Sequence, residues 1–326
     1  PVPTPVNTTN PLTGQTTDTD YNDQRPVAVT LRNGEGSTPQ WGIGKADLLV
    51  EGVSEGYDTT LTAVFATRAD IGKVGPVGKV TDLGLQLVLS LNAVPVHIGK
   101  TTYASNLLNV LTYQDMDGLN VGTSGMAFDS DRYANGYREE NCWYTTADLI
   151  SSGLANYSMD TTGENMTLFH FEERPAPESQ NGVNLYITFS QTAGAELKYD
   201  AATGMYLRHN FDGTPAMDAD SGQQASFKNV LVLYASSGVK DDGYTRQYDM
   251  SGGTGLYCAA DIHSRADQHE KNRFGSDPQL AELGGQTFGD FLRTFDLEDA
   301  RHAHNGQQSG HGNDAFEPCL YRHQQE

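Results

Sequence analysis

The chain of 326 residues carries 42 acidic against 21 basic side chains, a formal net charge of −21, and 35 glycines. A field of that sign repels phosphate backbones and anionic lipid, which argues against nucleic-acid binding and against membrane attachment through basic residues; no apolar run reaches the length of a membrane span. Cys142, Cys258 and Cys319 are too few for a disulfide framework and lack metal-type spacing, so at most one bridge and one leftover thiol are expected.

No initiator methionine or signal peptide opens the sequence, as in a mature or trimmed product. Pro1 to Asp23 is rich in Pro, Thr, Asn and Asp and lacks the apolar content to offset its ordering entropy, so residues 1–24 are expected to form a flexible tether. Pro26 to Arg32 alternates with β-branched residues as a strand, and Asn33 to Gly44 is a glycine-rich loop. Asp47 to Val53 and Thr59 to Thr67 read as a hairpin turning through Ser54 to Asp58.

Asp70 to Leu111 organises the chain: a glycine-rich loop, an apolar helix, a short buried strand ending at His97, then a second turn and helix. Val80, Leu83, Leu87, Val88 and Leu91 keep helical spacing, Leu85 and Leu89 widen the apolar face, and the pattern predicts a helix over Lys79 to Asn92 buried on more than one side. Val94, Val96 and Ile98 alternate as a strand, and a helix is expected from about Tyr103 to Leu111. Neither glycine-lysine run makes a nucleotide loop. Gly72 to Lys79 has one residue too many between its outer glycines and Val80 after the lysine, and Gly99-Lys100-Thr101 has Val94 where the first glycine belongs.

Asp115 to Asn141 reads as a long polar surface excursion. Thr145 or Thr146 is placed to cap a short helix that follows Cys142. Glu172 to Gly182 is the best linker, and it separates an N-terminal α/β domain (25–175) from a C-terminal β-rich domain (183–258). In the latter, Leu185–Ser190, Glu196–Asp200, Gly204–Phe211, Phe227–Ala235 and Tyr244–Met250 alternate as strands of an antiparallel sheet. Residues 259–326 fit no part of that sheet and read as a divergent, disordered or frameshifted tail.

The order and spacing of several segments are informative: Asn10-Pro-Leu-Thr-Gly14, Arg25-Pro-Val-Ala-Val29, Asn33, Pro39-Gln40 with Gly42, Ala46-Asp47, Glu51, Glu55-Gly56, Val74-Gly-Pro-Val77 and Val96-His97 in the first half, and Lys198-Tyr-Asp200, Tyr206-Leu-Arg208, Gly213-Thr-Pro215, Asp218, Asn229-Val230 and Gly252-Gly-Thr-Gly255 in the second. Over about residues 10–258 the chain resembles the YerB-like family of bacterial lipoproteins (domain of unknown function 3048). The resemblance implies an α+β layered sandwich, with a mixed N-terminal sheet and a C-terminal antiparallel segment, anchored by lipid outside the membrane of a Gram-positive bacterium. It implies no reaction. Where family members usually carry arginines, this chain has Thr60, Gly78 and Thr81, so any anion fork built from those arginines is depleted here.

The candidate ligand-binding residues are Asn33, Gln40, Glu51, Glu55, Lys73, Gly75, Pro76 and His97, on the loops at the rim of the first sheet. They point to a non-catalytic module for a cell-wall component or envelope protein, with no cofactor and no nucleotide. The alternative is a hydrolase or transferase of envelope polymers using His97 with Glu51 or Glu55 as acid and base. No metal site is expected. Asp218-Ala-Asp220-Ser-Gly222 lacks the third acid of a calcium loop and has Asn229 at the closing position. The histidines and Cys319 of the tail fit no structural zinc spacing, and the recurrent Asp-x-Asp pairs, Asp115/Asp117 and Asp129/Asp131 among them, read as solvated turn acids.

Overall fold

The first sheet is built on the alternating segment after Pro26. In the computed structural model, which describes residues 6–54, 58–163 and 182–259, β1 (Val27–Arg32), β2 (Leu48–Val53), β3 (Thr59–Phe65), β4 (Val94–His97) and β5 (Met116–Asp117) form a five-stranded sheet in the order β2-β3-β1-β4-β5. The β2–β3 hairpin is antiparallel with Val53 opposite Thr59, and β1 pairs antiparallel with β3 from Val27/Phe65 to Arg32/Thr60. β4 and β5 join in parallel, with Val29 opposite Val96 and His97 opposite Asp117. The sheet is therefore mixed and the fold is α+β.

Both faces of this sheet are covered, which is why β1 is apolar at nearly every position. Val29, Leu31, Leu61, Phe65 and Val96 enter the main core against Ile43, Val74, Val77, Ile150 and Leu154. Ala28 and Val64 face the other way, against Leu12, Tyr21, Val88 and Leu91. Burying each large aliphatic or aromatic side chain contributes about 1.5–3 kcal/mol.

Leu12 and Tyr21 correct the expectation of a tether over residues 1–24. Among the described residues 6–24, these two side chains anchor the segment to the sheet, and Asn10 Nδ2 donates to Asp47 Oδ1 at 2.8 Å. Average polarity hid two well-placed anchors.

The leucine-rich stretch forms α1 (Asp82–Val88) and a short 3-10 turn over Leu89–Leu91, later than its periodicity predicts. The first residues are spent otherwise. Val80 N–H donates to Gly99 O at 3.1 Å, Gly78 N–H to Thr30 O at 2.8 Å, and the helix starts only where the Thr81 hydroxyl accepts from the Gly84 N–H. Its wide apolar face serves three partners: α2 (Thr102–Leu111) through Leu85 and Leu89, the sheet through Val88 and Leu91, and Met250 through Leu83. Because Ile98 N–H donates to Gly78 O at 2.9 Å, the loops before and after this helix share one edge of the sheet.

The supposed excursion Asp115 to Asn141 is structured. It contributes β5, α3 (Gly118–Val121), β6 (Ala127–Phe128) and α4 (Ser130–Ala134), and it buries Met116, Val121 and Met126. β6 pairs with β7 (Trp143–Tyr144), and α5 (Ala147–Asn156) follows with Thr146 as its cap.

The second half contains β8 (Asn184–Thr188), β9 (Gly194–Asp200), β10 (Met205–Asn210) and β11 (Ser226–Phe227) in an antiparallel sheet of order β11-β10-β9-β8. The long hairpin of β12 (Asn229–Val239) and β13 (Arg246–Ala259) packs Val230, Val232 and Cys258 on its Leu185, Leu197 and Tyr206. The linker over Glu172 to Gly182 falls outside the described residues except at Gly182, and so does the tail from residue 260 onward.

Candidate functional site

Three clusters lie around the rim of the first sheet. The first gathers Asn33, Gln40 and Glu51. Asn33 Nδ2 donates to Glu51 Oε1 at 3.0 Å and to Thr59 Oγ1 at 2.7 Å, Gln40 Nε2 donates to Asn33 Oδ1 at 2.9 Å, and Thr59 Oγ1 donates to Glu51 Oε1 at 2.8 Å. The other Glu51 oxygen accepts from Arg208 Nη2 at 2.9 Å, and the Arg208 side chain is 4% exposed. This cluster ties the two halves together. Nearby, Asp218 accepts from the Gly42 N–H at 3.0 Å and the Gly44 N–H at 2.8 Å, so its carboxylate fixes the loop bearing Gln40. The backbone of residues 220 and 221 also donates to Asp218 Oδ1, which leaves that carboxylate a structural acceptor.

The second cluster is centred on Trp41. The Lys73 ammonium lies 4.0 Å from the Trp41 ring centroid and 4.1 Å from that of Tyr144. The Arg132 guanidinium lies 4.2 Å from both Trp41 and Tyr137 and donates to Pro39 O and Ser37 O, each at 2.7 Å. Such desolvated cation–π contacts are worth about 1–2 kcal/mol each. Lys73 also pairs with Asp129. Burial opposes ionisation of Asp129, yet Lys73 and the Arg132 N–H outweigh it and hold the carboxyl below its usual range. Asp129 in turn caps α4 through the Arg132 N–H at 2.7 Å. Gly75 has no room for a side chain, since a Cβ would lie 2.8 Å from Trp143 O. Gly75 and Pro76 are both buried and serve as scaffold under this cluster.

β7 is two-sided, as successive strand residues must be. Tyr144 faces Trp41 with ring centroids 6.0 Å apart, while Trp143 meets Phe128 edge-on at 5.1 Å, and Phe128 meets Tyr133 of α4 at 5.6 Å. Tyr133 is 54% exposed, and Phe128 and Trp143 are half-buried. The result is a strip of three rings that runs from exposed Tyr133 through half-buried Phe128 to Trp143, whose other side packs against the main core, with the Lys73–Asp129 pair beside it.

The third cluster surrounds His97, which is fully buried. Its Nε2 is 3.0 Å from Asp115 Oδ2 and its Nδ1 is 3.9 Å from Asp117 Oδ1, but neither ring nitrogen is aligned for a hydrogen bond. Lys100 Nζ lies 2.5 Å from Asp115 Oδ2 and 3.7 Å from Asp117 Oδ2. Burial opposes ionisation of Asp115, and the adjacent imidazole and ammonium draw its carboxyl below the ordinary range nonetheless.

The structure does not join His97 to Glu51. Glu51 is opposite Leu61, which enters the main core, whereas His97 follows Val96, which does the same. With strand alternation the two side chains project from opposite faces of the sheet, three strands apart, so the acid-base pair of the hydrolase reading is not assembled. Glu55 lies outside the described residues. Nor is either cysteine among the described residues activated. Burial pushes the Cys258 thiol up to about 11 and raises that of Cys142, so both are protonated at neutral pH, and the two are unbridged.

Of the candidates named from the sequence, Asn33, Gln40 and Glu51 lie in the first cluster, Lys73 in the second and His97 in the third; the groups around them, Trp41, Tyr144, Asp129, Arg132, Arg208 and the acids beside His97, were not among the candidates. The signal for those acids was present. Asp115-Met-Asp117 alternates as a strand does, and a parallel partner for β4 places both acids on the His97 face.

Residues 12–160 match the N-terminal domain model, and residues 185–271 the C-terminal domain model, of a family described as "Protein of unknown function (DUF3048)". The second match carries the likeness beyond Cys258 into the segment expected to be divergent. YerB of Bacillus subtilis (strain 168), whose name proposes that it is a lipoprotein, is 30% identical over 251 residues, which span 76% of this chain and 73% of YerB. The crystal structure of YerB protein from Bacillus subtilis aligns with a TM-score of 0.67 at 26% identity, over 78% of this chain and 83% of that one.

Proposed function

Since the chain belongs to the DUF3048 family, whose description names no reaction, we propose that it is a non-catalytic binding module of the cell envelope that takes wall glycan on the ring strip of Phe128, Tyr133 and Trp143. The strip carries this reading. Sugar rings present apolar faces that stack on aromatic side chains, and an acidic surface disfavours the anionic alternatives. The name of YerB supports a lipid anchor for this chain, outside the membrane of a Gram-positive cell. Among the described residues no helix is long and apolar enough to cross a membrane. Asn33, Gln40 and Lys73 act as positioning residues. They hold the loop and the capped helix on which the strip depends.

The test is sedimentation of the full chain with insoluble wall sacculi, alongside soluble wall polymers and envelope-protein extracts. Tyr133→Ala and Phe128→Ala are expected to weaken sacculus binding about five- to tenfold each, in line with the ~1 kcal/mol of an aromatic contact. Lys73→Met weakens it less, and His97→Gln leaves it unchanged. If both ring deletions bind like the unmodified chain, the strip is not the glycan site. Retention by a protein extract alone would assign the surface to a protein partner.

A further inference from the structure

The His97 cluster is unexplained by glycan binding, and its composition is unusual for a sheet interior: an imidazole and two carboxylates with donor atoms all within 4.8 Å of one another. Metal–ligand bonds of about 2.0–2.2 Å leave donors some 3.3–3.6 Å apart, so closing this group on an ion needs shifts of an ångström or so. Two observations point beyond a bare acidic cluster. His97 is fully buried and neither ring nitrogen makes an aligned hydrogen bond, although Nε2 lies 3.0 Å from Asp115 Oδ2 and Nδ1 lies 3.9 Å from Asp117 Oδ1. Lys100 Nζ already lies between Asp115 Oδ2 and Asp117 Oδ2, which marks where positive charge is held.

We propose that His97, Asp115 and Asp117 form a divalent transition-metal site in which the Lys100 ammonium is the resident counter-ion that an incoming cation displaces. The supporting geometry is rigid. Asp117 Oδ1 accepts the Gly99 N–H at 2.8 Å and the Leu119 N–H at 3.0 Å, which leaves Oδ2 for the ion. The β4–β5 register sets Asp117 directly beside His97. One imidazole with two carboxylates suits Zn²⁺ or Mn²⁺ and leaves open coordination positions for water. The Lys100 side chain is 23% exposed, so it has room to swing outward and open a path from solvent.

The experiment uses the full chain stripped with chelator and titrated with Zn²⁺ and with Mn²⁺ by calorimetry. Six of the nine histidines lie after Cys258 and are shared by every variant, so the readout is the difference between the unmodified chain and its variants. Asp115→Asn and His97→Gln are expected to remove one binding event per chain, and Lys100→Met to tighten that event tenfold or more. Mn²⁺ should broaden NMR signals from residues 97–119 in the unmodified chain and spare them in Asp115→Asn. Equal stoichiometry in all four proteins, or unchanged affinity in Lys100→Met, overturns the site. Because Lys100 is partly exposed, that variant also carries the test if loss of a buried ligand unfolds the protein.

Discussion

At the scale of single residues, the strongest constraint is the Glu51–Arg208 pair. A guanidinium that is 4% exposed depends on its carboxylate, and removing one member of a buried pair costs about 3–5 kcal/mol because the other charge stays behind. Glu51→Gln keeps the shape and removes the charge; a loss of about 3 kcal/mol in urea unfolding is expected. Asp129 gives a pH signature. Its folded pKa lies below the unfolded value of about 3.9, so its contribution is complete above that value and is lost as pH falls through the lower folded pKa. The unmodified chain should therefore lose Tm below about pH 4 more steeply than Lys73→Met, in which Asp129 has lost its principal partner. Neither pair was legible in the sequence. Glu51 and Arg208 are 157 positions apart and Lys73 and Asp129 are 56 apart, and nothing local to either member specifies its mate.

At the scale of elements, periodicity told the truth about burial and less about boundaries. The leucine spacing correctly predicts a helix covered on several sides. It overstates the length, because Gly78 to Val80 give their backbone groups to Thr30 and Gly99. Leu85 and Thr81 separate the two contributions. Leu85→Ala empties the α1–α2 contact and is expected to cost 2–5 kcal/mol, while Thr81→Ala removes only the cap, about 1 kcal/mol, as read by chemical denaturation. Equal costs would mean that α1 is held by its local signal instead of its packing. The β2–β3 hairpin and the strands β8 to β10 were legible because alternation and turn residues are local, but the expectation of one antiparallel sheet for the second half is corrected: β12 and β13 form a two-stranded ladder of their own beside it. The short β5, β6 and β7 were not legible, since two-residue strands are made by their partners and leave no period to detect.

At the scale of the whole molecule, the second half reaches the first along two routes. On one face of the first sheet, Arg208 and Asp218 hold Glu51 and the Gly42–Gly44 loop, with Ala216 and Ala225 in the main core. On the other, the far end of the β12–β13 hairpin packs Met250 on Leu83, pairs Lys240 with Asp82 and bonds Tyr103 to Asp241. Asp218→Ala is expected to cost about 3 kcal/mol by leaving two loop N–H groups without their acceptor, within a single unfolding transition for both halves. Two separate transitions in calorimetry would show that the routes couple weakly. Between these two arms stands β2, the outermost strand on its side of the sheet, whose second edge pairs with no strand among the described residues. The grip therefore doubles as quarantine: a fragment ending at residue 163 bares a raw selvage to its own copies and should elute as oligomers in gel filtration where the full chain does not.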